Sequence, residues 1–367
     1  MPRDKLLSLL RGAGLLDDGA AGDGHNPQQQ RGAVNETPGM DCSVVATRHS
    51  GLFSVSTTDF FYPNVEDPFV MGRVAACNVL SDIYATGIVN VDTVLMILAV
   101  SMDMAENERD AVTSRMIAGF VDACTQAGAR VTGGQTIQNP WPIIGGVATS
   151  IVTEKEMIRP GGALSGDVLV LTKPLGTQVA ANLWQWRGGQ RGRHWEKIKN
   201  LLVGYAEDPS TAVVDPAKVY NQACKSMASL NLCAAQAMHK FNAHAATDVT
   251  GFGILGHSDN LAQHSDDENV RFELTCLPCI NGTLKIEDTI GGAFRLRLGL
   301  SAETSGGLLV ALAPDSAAGY IQELALSGIN AWIVGRVVTA TKDDIQPEGQ
   351  VYKRSMIIPG AEYIDVE

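Results

Sequence analysis

Apolar residues recur every four positions in the segment that follows Pro68. The series consists of Met71, Ala75, Val79 and Ile83. This spacing is typical of one face of an α-helix. Proline favours the first turn of a helix, and a glycine just beyond the last turn favours its end. We therefore predict an apolar helix that begins at Pro68 and is ended by Gly87.

Further apolar patterns on both sides of this helix predict a first compact region over about 41–152. Its predicted order is strand, helix, strand, helix and two more strands. The predicted strands are Leu52–Thr57, Thr93–Val100, a strand near Arg130–Thr132 and Ile143–Val152. The predicted helices are the one that begins at Pro68 and one over about 106–126. A glycine pair, Gly133 and Gly134, lies between the last two predicted strands. The order indicates an α/β or α+β layer with helices on one face of a sheet.

A second region begins near Asp167, and its pattern alternates apolar strands with a longer helical stretch. Its predicted strands are Val168–Thr172, Leu308–Ala313 and Trp332–Val338. The length of 367 residues agrees with two domains. Before both regions, residues 12–39 are rich in glycine and poor in large apolar side chains. Such a segment cannot offset its ordering entropy by burial, so we predict a flexible lead-in.

Composition and charge exclude several classes of protein. A hydrophobic content of 45% and a charged content of 19% allow a large core and exclude a mainly disordered chain. The net charge of −12 argues against binding nucleic acid or an anionic membrane through bulk charge. The sequence contains no run of about 18 apolar residues, so it predicts no transmembrane helix. Seven cysteines, mostly in apolar stretches, are typical of reduced thiols in a cytosolic protein.

Single aspartates recur beside glycine or small polar residues at the predicted ends of elements. They are Asp41, Asp59, Asp82 and Asp248. Asn78 and Asp82 are four apart and share one face of the apolar helix, where either a capping or ion-pair partner or a bound cation would satisfy them. Several carboxylates in one place repel each other unless a cation lies between them. Magnesium is the usual ion, because it takes oxygen ligands and bridges carboxylates to phosphates.

Three other features favour structural roles. The segment Gly133–Thr136 would let backbone approach a phosphate, but glycine pairs are commonly turns. The four histidines between residues 239 and 264 fit no standard zinc spacing, so we interpret them as structural. Cys276 and Cys279 lack the further ligands of a structural zinc site.

Several longer motifs go beyond single residues. They are Thr57–Pro63, Asp67–Phe69, Met71–Arg73, Asn78–Ala85, Gly133–Thr136, Asn139–Trp141, Leu171–Gln178, His244–His257 and Glu303–Gly307. Together they closely resemble the selenophosphate synthetase family, and the similarity covers about residues 39–340. Motifs of this length are far more specific than a short pattern.

The resemblance implies a two-domain α+β fold of the aminoimidazole-ribonucleotide-synthetase (PurM-like) type. Its ferredoxin-like N-terminal domain would pair with that of a second copy into a β-barrel, giving a homodimer. The implied division is a flexible segment 1–38, an ATP- and magnesium-binding dimerisation domain 39–155 and a C-terminal α+β domain 156–367. The implied enzyme is a cytoplasmic phosphotransferase with paired acceptors. It would convert ATP, selenide and water to selenophosphate, AMP and phosphate for selenocysteine synthesis.

The resemblance also implies the residues of the site. Its Mg²⁺ ligands would be Asp41, Asp82 and Asp248. Its ATP-binding positions would be Gly39, Met40, Asp41, Asp59, Asp82, Gly133, Gly134, Gln135 and Thr136. Asn78 also falls on a site position of the family.

One family feature has no counterpart in this sequence. Family members carry a glycine-rich segment with a catalytic cysteine or selenocysteine and a lysine, and the match here starts at Pro2, just past it. We therefore expect a truncated core that makes no selenophosphate by itself. Cys42, the thiol nearest to Asp41 in the chain, is interpreted as a buried structural residue. Two alternatives stay open: a non-catalytic nucleotide-binding paralogue that acts through a partner, and another ATP-using enzyme of the same fold.

Overall fold

The computed structural model describes residues 41–187, 194–340 and 354–367. The predicted segment 1–38, with the predicted ATP-binding residues Gly39 and Met40, lies outside the described residues. None of the helices in the described ranges has the length and apolar content that crossing a membrane requires.

The first region forms a five-stranded sheet with two helices. Its elements are β1 (Ser43–Ala46), β2 (Phe53–Phe61), α1 (Pro68–Ala85), β3 (Thr93–Ser101), α2 (Glu106–Gln126), β4 (Val131–Asn139) and β5 (Ile143–Val152). The strand order is β1-β2-β5-β3-β4, and only β3 and β4 pair in parallel. Helix α1 packs on α2 and against β2 and β5. The predicted layer of helices on a sheet is therefore confirmed.

Helix α1 has the bounds that its apolar spacing predicts. The carboxylate of Asp67 caps its first turn, accepting hydrogen bonds from the backbone N–H groups of Phe69 and Val70 at 2.7 and 3.2 Å. Gly87 follows its last turn with a φ of +80°, a conformation that favours glycine. On the face toward α2, a Cβ at Gly72 would collide with the backbone of α2, so glycine allows the two helices to touch.

The predicted position of the glycine pair is wrong. Gly133 and Gly134 lie inside β4, where they pair with Leu95 and Met96 of β3. Gly134 has a φ of +147°, and a Cβ there would collide with the Met96 carbonyl oxygen. Glycine thus allows an irregular edge strand to come close to its neighbour. It does not make a turn between two strands.

The second region forms a six-stranded sheet with seven helices among the described residues. Its strands are β6 (Val168–Leu171), β7 (Ala245–Asp248), β8 (Val270–Ile280), β9 (Leu308–Leu312), β10 (Trp332–Thr339) and β11 (Ser355–Val366). Its helices are α3 (Thr177–Arg187), α4 (Trp195–Ile198), α5 (Pro216–Met227), α6 (Leu232–Lys240), α7 (Gly253–Gln263), α8 (Thr283–Thr289) and α9 (Pro314–Leu326). The order is β11-β8-β10-β6-β9-β7, with β8 and β11 the one parallel pair among these strands. The predicted β6, β9 and β10 are confirmed.

Helix α1 lies between the two regions. It contacts β2 and β5 on one side and β7, α5 and α6 on the other. Thirteen of its 18 residues are buried, among them the polar Asn78 and Ser81. The buried side chains of both regions form one continuous hydrophobic core. Polar groups on α1 are therefore held at the junction of the two regions.

Candidate functional site

Four carboxylates from distant segments come close together beside α1. Asp41 precedes β1, Asp59 lies on β2, Asp82 lies on α1 and Asp248 ends β7. Burial raises the pKa of Asp82 well above its usual value, and the charges of Asp248, Asp41 and Asp59 raise it further. Burial also raises the pKa of Asp41, and the charge of Asp248 adds to this effect. The structure thus brings together the four aspartates that the sequence analysis selected.

Neutral hydrogen-bond donors orient three of these carboxylates. The Thr57 hydroxyl donates to Asp82, and the Asn78 side-chain amide donates to Asp59. Thr57 and Asp59 face α1 together because alternate residues of a strand share one side. The Thr247 hydroxyl donates to Asp41 at 3.0 Å. No lysine or arginine of the described residues forms an ion pair with these aspartates.

Asp248 is the least satisfied member of the cluster. Both of its carboxylate oxygens are buried and receive no hydrogen bond of normal geometry from the described residues. Burial raises the pKa of Asp248 to about 6, although the nearby Ser81 hydroxyl lowers it. A buried carboxylate without partners is costly, and a cation would satisfy both oxygens.

His257 belongs to the same group, although the sequence analysis interpreted the histidines as structural. One ligand atom of His257, one of Asp41 and one of Asp248 all lie within 4.8 Å of each other. The Nε2 atom of His257 accepts a hydrogen bond from the Phe252 backbone N–H at 3.3 Å. Asp248 lies nine positions before His257 in the sequence, but Asp41 comes from a distant segment, and only the fold shows that the three residues meet.

The predicted ATP-binding segment Gly133–Thr136 lies on the exposed edge strand β4, three strands away from Asp59. The register fixes their relation: Asp59 pairs with Gly146, Gly146 with Met96, and Met96 with Gly134. Neighbouring strands are about 4.8 Å apart, so this row spans about 14 Å. Asp59, and with it the carboxylate cluster, therefore lies at one end of this row, and Gly134 on β4 lies at the other end.

The loop Glu303–Gly307 connects the second region to α1. The Ser305 backbone N–H donates to the side-chain oxygen of Asn78 at 2.8 Å. The carboxylate of Glu303 accepts hydrogen bonds from the backbone N–H groups of Gly176 and Thr177 at 2.7 and 2.9 Å. Burial raises the pKa of Glu303 to about 7. These contacts fix the loop that orients Asn78, and so they act indirectly on Asp59.

Cys42 is buried next to the cluster. Burial and the charges of Asp82, Asp41 and Asp248 all raise the pKa of its thiol. The thiolate is the nucleophilic form, so this environment keeps Cys42 inert. Its interpretation as a structural residue agrees with the structure.

Two protein-family models match the two regions. Residues 39–152 match the N-terminal domain of the AIR synthase related proteins, and residues 165–347 match their C-terminal domain. Thiamine monophosphate kinase from Aquifex aeolicus has a TM-score of 0.60 at 16% identity, over 93% of this chain and 96% of that chain. The hydrogenase maturation protein HypE in complex with ATP has a TM-score of 0.57 at 14% identity, over 93% of this chain and 87% of that chain. These likenesses show the fold, and the predicted two-domain α+β fold of the PurM-like type is confirmed.

Curated relatives are much more similar in sequence. Selenide, water dikinase 2 of Mus musculus is 48% identical in an alignment of 358 residues that covers 92% of this chain and 76% of the relative. Selenide, water dikinase of Dictyostelium discoideum is 43% identical over 368 residues, covering 100% of this chain and 91% of the relative. The chain therefore belongs to the selenide, water dikinase (selenophosphate synthetase) family. The resemblance found in the motifs is confirmed.

Proposed function

We propose that this protein is an ATP-dependent phosphotransferase that acts on selenide and water and forms selenophosphate, AMP and phosphate. The observation that carries the proposal is the cluster of four buried carboxylates at the junction of two domains, with Asp248 unsatisfied. The cluster occurs in a chain 43–49% identical to proteins named selenide, water dikinase. Those names favour this reaction over that of another ATP-using enzyme of the same fold.

We infer that Asp41, Asp82 and Asp248 hold Mg²⁺. The unsatisfied oxygens of Asp248 and the raised pKa values of all three carboxylates fit a site for a cation. The oxygen-rich donor set suits magnesium, and His257 lies beside it. Bound Mg²⁺ would neutralise charge on the phosphates of ATP.

The other predicted site residues would position the nucleotide. Asn78 and Thr57 hold Asp59 and Asp82 in place through their side chains. Gly133–Thr136 stand at the other end of the row, and Gly39 and Met40 precede Asp41. We propose that ATP extends between the carboxylates and β4. This arrangement would leave the phosphates beside the metal ligands.

Homodimer formation is part of the same proposal. The face of the first sheet opposite α1 carries large apolar side chains that are 40 to 55% exposed. The register places them all on one face: Val45, Phe60, Leu95, Ile137 and Ile151. An apolar patch of this kind marks an interface, and a second copy of the chain would cover it. Sedimentation that shows a stable monomer of about 39.0 kDa at micromolar protein would count against the homodimer.

Magnesium-dependent ATP binding tests the proposed function directly. Calorimetric titration of the protein with ATP should show strong binding with Mg²⁺ and weak binding with EDTA. Equal binding in both conditions would contradict the proposed metal site. Phosphorus NMR with ATP and selenide then tests the reaction itself. The cytoplasmic location and the domain division at residue 155 stay predictions.

A further inference from the structure

A second concave site lies entirely within the second region. It has a volume of about 840 Å³, which is within the range of small-ligand pockets. Its walls come from the end of β6, one face of α5, the turn before α6 and the segment before β10. None of the four aspartates of the cluster lines it. The proposed function leaves this cavity without a role.

A buried lysine forms part of the wall. Lys173 is 6% exposed, and its Nζ atom donates to the carbonyl oxygens of Ser229 and Ser305 at 2.7 and 2.8 Å. Both acceptors are neutral, and the charge of Asp248 acts on this ammonium group without a close ion pair. Burial lowers the pKa of Lys173 to about 8. A buried cation whose hydrogen-bond acceptors are all neutral is stabilised further by an incoming anion.

The rim adds positive charge. Lys218 and Lys225 line the cavity from α5, seven residues apart and therefore on one face of the helix. Two acids, Asp215 and Glu367, also line it. The Asp215 carboxylate already caps α5, where it accepts from the N–H groups of Ala217 and Lys218 at 2.9 and 3.2 Å. Three lysines against two acids leave the side chains of the lining with a net positive charge, which favours an anionic ligand.

The rest of the lining is apolar. Val203 and Val213 at the mouth are 49% and 64% exposed, and Ile329 and Trp332 belong to the same surface. Exposed apolar groups that meet in a concave site favour a ligand with an apolar body. The ammonium groups and this surface occur in the same cavity.

We propose that this cavity binds a small organic anion, with the acidic group of the ligand beside Lys173 and its apolar body against Val203, Val213 and Trp332. The proposal depends on the cavity alone and not on the proposed phosphotransferase activity. It holds for the protein with or without Mg²⁺. The four carboxylates of the cluster repel anions when no metal is bound, so a metal-free experiment isolates the cavity.

Fluorescence titration with 8-anilinonaphthalene-1-sulfonate in EDTA tests the proposal. This probe carries one sulfonate on an apolar aromatic body. We expect saturable binding at one site per chain. The double variant Lys218→Glu/Lys225→Glu should weaken it by about tenfold, because two attractive charges become repulsive. Lys155→Glu, an exposed lysine outside the cavity lining, is the matched control and should leave binding unchanged.

Two further arms separate charge from shape. Lys173→Met should weaken the sulfonate probe by about tenfold or more, but should leave the neutral analogue N-phenyl-1-naphthylamine almost unaffected. Ala212→Trp at the cavity wall should weaken both probes by filling the space. Circular dichroism melts check that each variant is folded. If Lys173→Met does not fold, the double variant Lys218→Glu/Lys225→Glu still tests the proposal. Binding that ignores every cavity variant, or no saturable binding at all, would overturn the proposal.

Discussion

The carboxylate cluster beside α1 and the cavity beside α5 show opposite solutions to the same problem of buried charge. The cluster gathers four aspartates with neutral donors, while the cavity holds one lysine with neutral acceptors. Within the described residues, neither Lys173 nor the four aspartates form a close ion pair, although the charges of Lys173 and Asp248 act on each other's pKa. Under the two proposals, one chain holds two ligand sites of opposite preference, one for a cation and one for an anion.

The carboxylate cluster and the cavity are linked by hydrogen bonds of common residues. Asn231 lines the cavity and donates from its side chain to the Ser81 hydroxyl at 2.9 Å and to the Gly306 carbonyl oxygen at 2.8 Å. Ser81 lies beside Asp248 in the cluster. Lys173 holds the neighbouring Ser305 carbonyl from the cavity side. Contacts thus run from the anion-favouring region to the cation-favouring region through one loop.

The largest expected effect is on the cluster. Asp82→Ala should weaken Mg²⁺-dependent ATP binding by about 100-fold, because the metal loses an oxygen ligand. Loss of one of several repelling carboxylates should leave the metal-free melting temperature equal or higher. Anion binding in the cavity should not change, which preserves the contrast between the regions.

Calorimetry and thermal melts measure both quantities, with the exposed Asp103→Asn as a matched control. A structural role would give another result, because removal of Asp82 would then leave a buried partner unpaired. A mutant that melts far lower without ligand, yet gains the full wild-type shift with Mg-ATP, would contradict the metal role.

The next effect is on stability as a function of pH. Burial raises the pKa of Asp248 to about 6 in the folded protein, against about 3.9 in an unfolded chain. The folded state therefore binds more protons than the unfolded state within this window. The stability that this group contributes is present below pH 4 and is lost as pH rises through about 6. Asp41, Asp59 and Asp82 have shifts of the same sign.

We expect the metal-free protein to lose on the order of 2 kcal/mol of unfolding free energy through Asp248 between pH 4 and pH 7. Urea titrations in EDTA at several pH values measure this loss. The Asp248→Asn variant should show a shallower pH dependence, and saturating Mg²⁺ should reduce it in the wild type. If the wild type and the Asp248→Asn variant showed the same change in stability between pH 4 and pH 7, the assignment would be refuted.

The elements of the first region could be predicted from the sequence better than those of the second region. Helix α1 could be found because its apolar spacing, its cap at Asp67 and the stop at Gly87 agree with one another. Strands β8 and β11 were not predicted, since Pro278 lies within one and Pro359-Gly360 within the other. In the structure β11 is the outermost strand, and its pairing with β8 is irregular around this Pro-Gly pair. For β11, an edge position and a bulge allow a Pro-Gly pair that a central strand would exclude.

The sites differ in the same way. Four aspartates could be selected from the sequence because carboxylates beside small residues have a recognisable chemistry. His257 and Thr57 could not, since only the fold brings His257 close to Asp41 and Thr57 close to Asp82. Lys173 lies in the motif Leu171–Gln178, but a lysine in a sequence predicts an exposed side chain, and only the packing shows its burial.

The smallest expected effect tests the link between the cluster and the cavity. Asn231→Ala removes the donor to Ser81 and to the Gly306 carbonyl, and loss of such buried hydrogen bonds costs about 1–3 kcal/mol of stability. Because this residue faces both regions, we expect the variant to weaken Mg-ATP binding and cavity anion binding together, each by a few-fold. Asn330→Ala, which alters the cavity lining alone, should weaken only the anion. If Asn231→Ala weakened the binding of one ligand and left the affinity for the other at its wild-type value, the cluster and the cavity would be independent. The contacts of Asn231 would then be only structural.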